Sequence, residues 1–418
     1  MKTTRQQKES PNMTGSNSDI YSDPCAEKRA DALPFAIYVL GFGIFAMVTS
    51  EFQVSGMITV MATDLQVTVS QIGYLVSIYA FAMAFGGPFL TIVLLKARPK
   101  TSLLMLYLIF IFGEALGALA QSYTMLIIAR LVTGSVSGAF FGTALAICVQ
   151  LVAERQRGWA TSIVLAGIMV GTVLGLPMAN LIGAHLGWRE SFWVTAGLAI
   201  FAAIVSVFTI PSILSPATTS LRSEISALKN PKLWAAFSTS LLIIGATFAA
   251  FTYFIPILKD LTKYGDNAIA TLLFIYGVAT VVGNTVVGKL ADRHTISTLV
   301  TGLFLLTFFL IAFGLFTESK AVSAISLVGI GLVGVTMNPA MVSRVMRTAN
   351  GRPLVNTIHT SVITLGIVIG AFVGGLCISA GYGLRAPLWV GVALALMGLA
   401  TLAPEIRTLL RSAARNND

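Results

Sequence analysis

The chain has 418 residues, of which 56 % are hydrophobic and only 11 % are charged, and its formal net charge is +10. Soluble domains carry about a quarter charged residues, so this composition excludes an ordinary soluble globular protein. A basic chain can also be a nucleic-acid binder, and the positions of its basic residues decide between that class and a membrane protein.

Twelve long apolar stretches follow one another along the chain. The hydrocarbon core of a bilayer is about 30 Å thick, and a helix needs about 20 apolar residues to cross it. We therefore predict an all-α membrane protein with twelve transmembrane helices, at Phe35–Met61, Ser70–Leu95, Ser102–Ala120, Tyr123–Val149, Gly158–Ala184, Glu190–Ile210, Leu233–Leu258, Asn267–Leu290, Ser297–Phe316, Ala321–Met346, Leu354–Ala380 and Ala386–Ala403.

Lysine and arginine are concentrated in alternate gaps between these stretches. If the N-terminus is inside, 21 of the 27 basic residues fall in inner segments and five in outer ones, and Arg130 lies within a span. This is the positive-inside pattern, and it predicts that both termini are cytoplasmic. The basic charge therefore indicates membrane topology and not nucleic-acid binding.

The polar segments suggest how the chain is divided. Residues 1–33 are polar, and this composition predicts a disordered cytoplasmic tail. They are not expected to form a signal peptide, because the apolar stretch that follows them is too long for a cleavable one. We expect six-helix bundles at 34–210 and 233–403, joined by a cytoplasmic linker at 211–232. Residues 404–418 are expected to form a second cytoplasmic tail.

Internal repetition supports two related halves. Three glycines recur every fourth residue in the fifth span, and three more do so 199 residues later in the eleventh: Gly167, Gly171 and Gly175, then Gly366, Gly370 and Gly374. Repeated six-helix halves are typical of one large class of transporters, in which the substrate site lies between the halves near the membrane midplane. The fold expected is two pseudo-symmetric six-helix bundles.

The sequence shows none of the usual signs of enzyme chemistry. It has no G-x-x-x-x-G-K-[ST] loop that would bind ATP, and no cluster with metal-ligand spacing. Cys25, Cys148 and Cys377 are scattered and support no redox or metal inference. We expect no enzymatic activity, no cofactor and no metal.

Three motifs carry a resemblance to the major facilitator superfamily over residues 35–403. Gly288-Lys-Leu-Ala-Asp-Arg resembles its cytoplasmic signature after the eighth helix. Arg130-Leu-Val-Thr-Gly134, continuing to Gly138, resembles its fourth-helix motif. The fifth-span glycines followed by Leu176-Pro177 resemble the motif of its drug/proton antiporter branch.

A narrower resemblance is to bacterial sugar-efflux, arabinose-export and purine-nucleoside-efflux transporters. It rests on Thr49-Ser50-Glu51-Phe52, on Val173-Leu-Gly-Leu-Pro-Met and on Gly187-Trp-Arg-Glu-Ser-Phe. The first-half loop departs from the general family pattern, because Leu95 stands where aspartate is expected and Pro99 interrupts the basic run.

Intramembrane charges are the best candidates for coupling. A charged side chain in a membrane costs at least about 2.5–3.5 kcal/mol, so it usually faces a cavity and has a function. Burial favours a neutral carboxyl group and a nearby cation favours the charged one, so Glu51 could exchange a proton for substrate while Arg130 tunes that exchange. Alternatively, Glu51 makes a fixed hydrogen bond that positions the first helix. Glu114 in the third span is the competing acid, and it either pairs with Arg130 or reaches the outer interface.

Polar and aromatic residues within the spans are the candidates for a substrate cavity. Aromatic side chains can line a pocket for an amphiphilic solute, although lipid contact and helix packing explain them equally simply. Polar groups inside apolar helices need partners. The candidates are Gln53, Tyr79, Phe248, Phe251, Tyr253, Asn284, Asn338 and His359, the last of which is also readily explained as a packed core histidine.

Gating requires charges on one face of the membrane and helices that can move against each other. Small residues every four positions let helices approach closely, either for sliding or for static packing, and proline can bend a helix. The inner-face charges could form a latch or only set the topology. The candidates are Lys96, Arg98, Lys100, Gly288, Asp292, Arg293, Gly167, Gly171, Gly175, Pro177, Gly134 and Gly138.

The sequence and the resemblance together predict a proton-coupled exporter in a bacterial inner membrane. It would carry a small organic solute such as a sugar, a nucleoside or an amphiphilic drug, by rocking of the two bundles. Its partners would be the solute, protons and the lipid bilayer, and a monomer is expected. An importer or uniporter, or a membrane sensor with the same fold, remains as an alternative.

Overall fold

The computed structural model describes residues 33–94, 97–153, 156–211, 230–349 and 353–415. Within these residues, twelve helices are long and apolar enough to cross a membrane. We label them α1 to α12 in chain order: Phe35–Asp64, Val69–Leu94, Pro99–Ala118, Tyr123–Leu151, Trp159–His185, Trp188–Thr209, Pro231–Phe251, Asp266–Ala291, His294–Leu315, Lys320–Thr348, Ile358–Tyr382 and Ala386–Glu405.

Each predicted span falls on one of these helices, which confirms the all-α membrane fold. The ends differ by a few residues, as expected when a helix runs beyond the hydrocarbon region. The largest differences are at the C-terminus, where the last helix continues to Arg415, and after Phe251, where α7 ends seven residues before the predicted span does.

Several helices are interrupted at single residues. In α1 the backbone of Met57 is not helical, and the Asn180 side chain donates a hydrogen bond to the neighbouring carbonyl of Gly56. The chain from Asp266 to Leu315 is one continuous helix except at His294, which separates α8 from α9. In α10 the helix breaks at Gly334 before a short 3₁₀ turn.

After α7 the chain does not leave the protein at once. A single turn at Phe254–Pro256 and a π-helical turn at Ile257–Leu261 follow it, and α11 likewise ends in a π-helical turn, Ile378–Tyr382. Both turns lie on the side of the membrane that the sequence predicts to be outer. Such turns satisfy backbone groups where a regular helix stops.

Within each half, the glycine stripes bring helices into close contact. A Cβ atom at Gly167 would collide with the carbonyl oxygen of Gly41 on α1. One at Gly366, 199 residues later, would collide with the carbonyl oxygen of Leu241 on α7, and one at Gly370 with that of Gly245. The 199-residue repeat therefore corresponds to equivalent packing of α5 on α1 and of α11 on α7.

The halves touch through a small number of helix pairs. α2 packs along α11, α5 packs along α8, and the turn after α7 packs against α1. At the α5–α8 crossing, a side chain at Gly277 would strike the backbone of Val173. The arrangement matches the expected pair of pseudo-symmetric bundles.

Some predictions fall outside the described residues. They concern the tail at 1–33 apart from its last residue, most of the linker at 211–232, Lys96, and the last three residues of the chain. For Asp292 and Arg293 the structure describes the helical backbone but not the side chains. The latch proposed for these charges therefore stays a prediction.

Candidate functional site

A fully buried arginine joins α4 to α1 in the N-terminal half. The guanidinium of Arg130 donates through Nη1 to the carbonyl oxygen of Ser50 at 2.8 Å and to its hydroxyl at 3.3 Å. Nη2 donates to the carbonyl oxygen of Glu51 at 3.3 Å. The guanidinium carbon also lies 4.0 Å from the centre of the Tyr79 ring on α2, a cation–π contact.

Glu51 lies next to this arginine, but its carboxylate is not bound to it. The side chain is partly exposed, and within the described residues its carboxylate accepts no hydrogen bond and forms no ion pair. The contact between the two predicted coupling residues runs through the Glu51 carbonyl instead. The carboxylate is therefore free to change its protonation state without breaking a hydrogen bond.

Glu114 occupies the opposite situation. Its side chain is fully buried and faces α1 from α3, where it accepts hydrogen bonds from the Ser50 hydroxyl at 2.5 Å and from Gln53 Nε2 at 3.1 Å. Ser50 therefore lies between Arg130 and Glu114 and bonds to both. Glu114 is buried and does not reach the outer interface, and its connection to Arg130 runs through the Ser50 hydroxyl and not through a direct ion pair.

Gln53 does not line a cavity, contrary to the expectation. It is fully buried, and its Oε1 accepts a hydrogen bond from Thr195 on α6 at 3.0 Å while its Nε2 binds Glu114. The residue connects three helices because an amide has both a donor and an acceptor to satisfy. Its role in the structure is to fix α1 in the bundle.

Tyr79 also belongs to the packed cluster and not to a cavity wall. It is buried beneath Arg130, and its hydroxyl hydrogen bonds to Ser137 on α4 at 2.7 Å and reaches the Met47 carbonyl at 3.3 Å. The predicted substrate contact is thus replaced by a support for the arginine.

The predicted aromatic cluster of the seventh helix lies between the two halves. Phe248 and Phe251 are buried and pack on Phe52 of α1, with ring centres 6.4 and 5.3 Å away. Tyr253 is fully buried and donates to the carbonyl oxygen of Ala371 at 3.0 Å. Phe52 directly follows Glu51 in sequence, so these ring contacts join the two halves next to that residue.

The remaining cavity candidates separate into two kinds. His359 is buried, bonds to the Ser240 hydroxyl at 2.8 Å and stacks on Phe237 at 5.7 Å, so it is a packed core residue. Asn284 is partly buried and Asn338 is exposed, and in the described part of the chain neither side chain makes a hydrogen bond. Both asparagines therefore have side-chain amides that are not hydrogen-bonded to the described residues.

The glycines predicted to let helices slide make contacts within one half. Gly134 and Gly138 face the backbone of α2, while Gly171 and Gly175 face Val48 and Thr49 of α1. These contacts fit close static packing, because the movement expected is between the halves. Pro177 lies inside α5, and the helix continues through it.

The inner-face candidates have ordinary surroundings where they are described. Arg98 is exposed and immediately precedes α3, and Lys100 donates to the carbonyl oxygen of Val207 at the end of α6 at 2.7 Å. Gly288 has open space around it. A lysine at a helix C-terminus stabilises the unpaired carbonyls there.

Sequence reasoning missed several polar residues that the fold brings together. Ser50 and Thr195 are short side chains in apolar runs and gave no signal beyond that. Arg344 on α10 is nine-tenths buried, donates to the Thr239 hydroxyl at 2.6 Å and forms an ion pair with Glu405 of α12 at 2.8 Å. The sequence assigned this arginine only to the inner basic segments.

A cleft of about 790 Å³ opens at the predicted outer ends of α1 and α7. Its lining is mixed, with threonines and charged groups beside valines: Thr59, Thr63, Asp64, Thr68, Lys259 and Asp260. It lies beyond the aromatic rings and does not contain the buried charged cluster. Among the described residues, no group of three histidine, cysteine, aspartate or glutamate side chains could hold a metal ion.

Comparison with known proteins identifies the family. The model of the Major Facilitator Superfamily matches residues 40–355, about three quarters of the chain. The chain belongs to the major facilitator superfamily. It is therefore a multi-pass membrane transporter and not an enzyme.

Relatives agree over nearly the whole length. The inner membrane transport protein YdhP of Escherichia coli (strain K12) is 31 % identical over 350 residues, which cover 84 % of this chain and 90 % of YdhP. The chloramphenicol resistance protein of Streptomyces lividans is 31 % identical over 388 residues, 91 % of this chain and 98 % of that protein. The name of YdhP and the twelve apolar helices described above support a multi-pass inner membrane protein.

A solved structure shows the same fold. The bacterial homologue of the human lysosomal transporter Spinster, in its inward-facing and unoccupied conformation, superposes with a TM-score of 0.68. It covers 91 % of this chain and 98 % of its own, at 16 % identity, so the similarity concerns the fold alone.

Proposed function

We propose that this major facilitator transporter exports a small organic solute in exchange for protons. The observation that carries the proposal is the Glu51 carboxylate, which lies beside a buried arginine and yet has no hydrogen bond or ion pair in the described structure. A carboxyl group in such a place can gain and lose a proton at little structural cost. An intramembrane charge without a fixed partner is a sign of function.

The solute is an amphiphilic or polar organic molecule of the sugar, nucleoside or drug type. The name of the Streptomyces relative concerns chloramphenicol resistance, which favours phenicol-type drugs as the first class to test. Buried aromatic rings close to Glu51 and free amide groups on Asn284 and Asn338 suit a molecule with apolar and polar parts.

Movement would occur between residues 34–210 and 233–403, with both termini cytoplasmic. The halves meet along α2–α11 and α5–α8, and Phe52 packs on Phe251 towards the predicted outer side. Transport would require these rings to separate while the packing inside each half persists. Solute and proton would then reach the space between the halves from each side in turn.

The test compares wild type with Glu51→Gln in proteoliposomes. A difference of one pH unit is equivalent to about 1.4 kcal/mol per proton, or about tenfold accumulation of a solute exchanged for one proton. We expect an imposed pH gradient to drive uphill transport of one class among pentoses, nucleosides and phenicol-type drugs. The Glu51→Gln protein should retain exchange down a gradient but lose uphill transport.

Glu318→Gln is the matched control, because it makes the same chemical change at an exposed loop glutamate paired with Arg385. It should behave like wild type. Uphill transport that survives Glu51→Gln would refute the coupling role of Glu51. Transport that ignores the pH gradient would point to a uniporter, and binding without movement would point to a sensor.

A further inference from the structure

The buried cluster contains two carboxyl groups, and the structure gives them different surroundings. Glu114 is fully buried, and its carboxyl group accepts hydrogen bonds from two side chains. Glu51 is partly exposed, and its carboxyl group accepts no hydrogen bond from the described residues. The difference follows from which helix face each occupies, and it implies two roles. The inference below rests on the proposed proton-coupled export.

The hydrogen bonds define the state of Glu114. Arg130 Nη1 donates to the Ser50 hydroxyl oxygen, so the single hydroxyl hydrogen of Ser50 is free to point at Glu114. The other Glu114 oxygen lies 3.1 Å from Nε2 of Gln53, whose Oε1 lies 3.0 Å from the Thr195 hydroxyl. Each oxygen of Glu114 thus has one donor within reach, an arrangement that suits an ionised carboxylate.

A buried arginine needs such a negative partner. The guanidinium remains charged in proteins, and removing it from water is costly unless an opposite charge and hydrogen bonds compensate. In this cluster the hydroxyl of Ser50 links the guanidinium of Arg130 to the carboxyl group of Glu114. The Glu51 carbonyl oxygen accepts from Nη2 of Arg130, whereas the Glu51 carboxylate accepts no hydrogen bond from the described residues.

We propose that Glu114 is the fixed counter-ion of Arg130, held through the Ser50 hydroxyl, and that it leaves the Glu51 carboxylate free to exchange protons. Glu114 is then a positioning residue and not the proton carrier. It determines the proton-exchange behaviour of Glu51 by keeping the arginine charge occupied.

The charged and titratable neighbours of the two carboxyl groups are few. Arg130 on α4 and Tyr79 on α2 belong to the cluster itself. The titratable groups of α5 and α6 lie at or next to the helix ends: Arg157 and His185 for α5, and Arg189 and Glu190 for α6. After α7, the buried hydroxyl of Tyr253 donates to the Ala371 carbonyl and not to either carboxyl group. The balance among Glu51, Glu114 and Arg130 therefore dominates the local field.

Glu114→Gln tests this balance with little change of shape. The new amide can still accept from Ser50 through its oxygen, and Gln53 can turn its own amide to face the new one. The charge of Arg130 then lacks its partner and favours the ionised form of Glu51. Protonation of Glu51 should need a more acidic solution, and the midpoint of the transport–pH profile should fall by about one unit or more.

Two further variants separate the counter-ion role from simple packing. Ser50→Ala removes the bridge but keeps all three charges, so it should shift the midpoint in the same direction by less. Thr195→Val removes a hydrogen bond from the same network without touching a charge. It should lower thermal stability but leave the midpoint at the wild-type value.

The experiment measures solute exchange and uphill transport in proteoliposomes from about pH 5 to about pH 9. A lowered midpoint in Glu114→Gln, with a smaller shift in Ser50→Ala and none in Thr195→Val, supports the inference. A slower Glu114→Gln protein with an unmoved midpoint overturns it and leaves a packing role. If Glu114→Gln does not fold, the shift in Ser50→Ala decides.

The result also distinguishes this inference from the function on which it rests. If Glu114→Gln keeps exchange but loses uphill transport while Glu51→Gln retains it, Glu114 carries the proton and both role assignments are wrong. A wild-type profile that does not change with pH overturns proton coupling itself. An unmoved midpoint in Glu114→Gln against a normal wild-type profile overturns the counter-ion role alone.

Discussion

At the scale of single residues, the cluster shows how a membrane protein accommodates a buried charge. Arg130 satisfies its two terminal nitrogens with oxygens on α1 and places its flat face on Tyr79. Its Nε has no partner in the described residues. Their positions within predicted spans singled out Arg130 and Glu51 in the sequence. Whether Arg130 donates to the carbonyl oxygen or to the carboxylate of Glu51 depends on how the helices are rotated.

Arg130→Lys should destabilise the protein although it keeps the charge. A lysine has one compact ammonium group and cannot reproduce both the fork of hydrogen bonds and the stacking on Tyr79. The loss of about two hydrogen bonds to a charged group predicts a decrease of about 3–6 kcal/mol in the free energy of unfolding. The measurement is thermal unfolding in detergent.

Arg189→Lys provides the comparison, because Arg189 also stacks on an aromatic ring, that of Trp188, but its ion pair with Asp64 is partly exposed. Exposed pairs contribute about 0–1 kcal/mol, so this variant should unfold close to wild type. Equal effects of the two substitutions would contradict the importance given to burial.

At the scale of helices, close contact is specified by glycine. The sequence showed two glycine stripes that repeat after 199 residues, one containing Gly167 and the other Gly370. It did not show which helix each stripe faces. The structure places α5 on α1 and α11 on α7, and these contacts lie inside each half. Interruptions at Met57 and Gly334 could not be predicted, because the local sequence of each remains compatible with a regular helix.

Gly167→Ala and Gly370→Ala should both reduce stability. In each case the new methyl group would collide with a backbone carbonyl of the facing helix, and a backbone cannot move aside as a side chain can. Overpacking of this kind costs about 1–3 kcal/mol, which thermal unfolding in detergent can detect.

Gly142→Ala is the internal control for these two substitutions. Gly142 lies in α4 with open space where a Cβ would be, and alanine is a better helix former than glycine. This variant should be neutral or more stable by up to about 1 kcal/mol. A loss of stability at Gly142 comparable to that at Gly167 would show that collision with a facing backbone does not control these positions.

At the scale of the whole molecule, function depends on contacts that connect the halves. Towards the predicted outer side, the Tyr74 hydroxyl of α2 lies 3.2 Å from the Ser379 hydroxyl at the end of α11. Tyr74 also packs on Phe372, with ring centres 5.1 Å apart. If export opens this side, these groups must separate in every cycle.

Cross-linking Tyr74→Cys to Ser379→Cys should therefore stop transport. The experiment uses a short bifunctional maleimide and a background in which the three native cysteines are replaced by serine. Saturating solute should lower the yield of cross-linking because it promotes opening of the outer side. Transport is measured in proteoliposomes before and after the reaction.

A pair within one half gives the matched control. Asp64 and Arg189 form an ion pair at 2.7 Å between α1 and α6, which the proposed movement leaves intact. Cross-linked Asp64→Cys/Arg189→Cys protein should keep its transport activity. Undiminished transport in the cross-linked Tyr74/Ser379 protein would argue against opening at this place.

The sequence by itself determined the features that depend on composition and order along the chain. Apolar length fixed twelve spans because a bilayer admits helices of that length, and the glycine repeat indicated two related halves. The cost of a charge in a membrane singled out Glu51, Arg130 and Glu114. These inferences need no knowledge of which helices are neighbours.

Only the tertiary structure decided what these residues contact. Rotation of α1 and α3 placed Glu114 on Ser50 and Gln53 and left the Glu51 carboxylate without a hydrogen bond to the described residues. It also made Gln53 and Tyr79, expected in a cavity, parts of a packed network. A hydrogen bond between helices requires a definite distance and direction between atoms far apart in sequence. Periodicity and spacing carry no information about either, so the different surroundings of the two carboxyl groups became visible only in the fold.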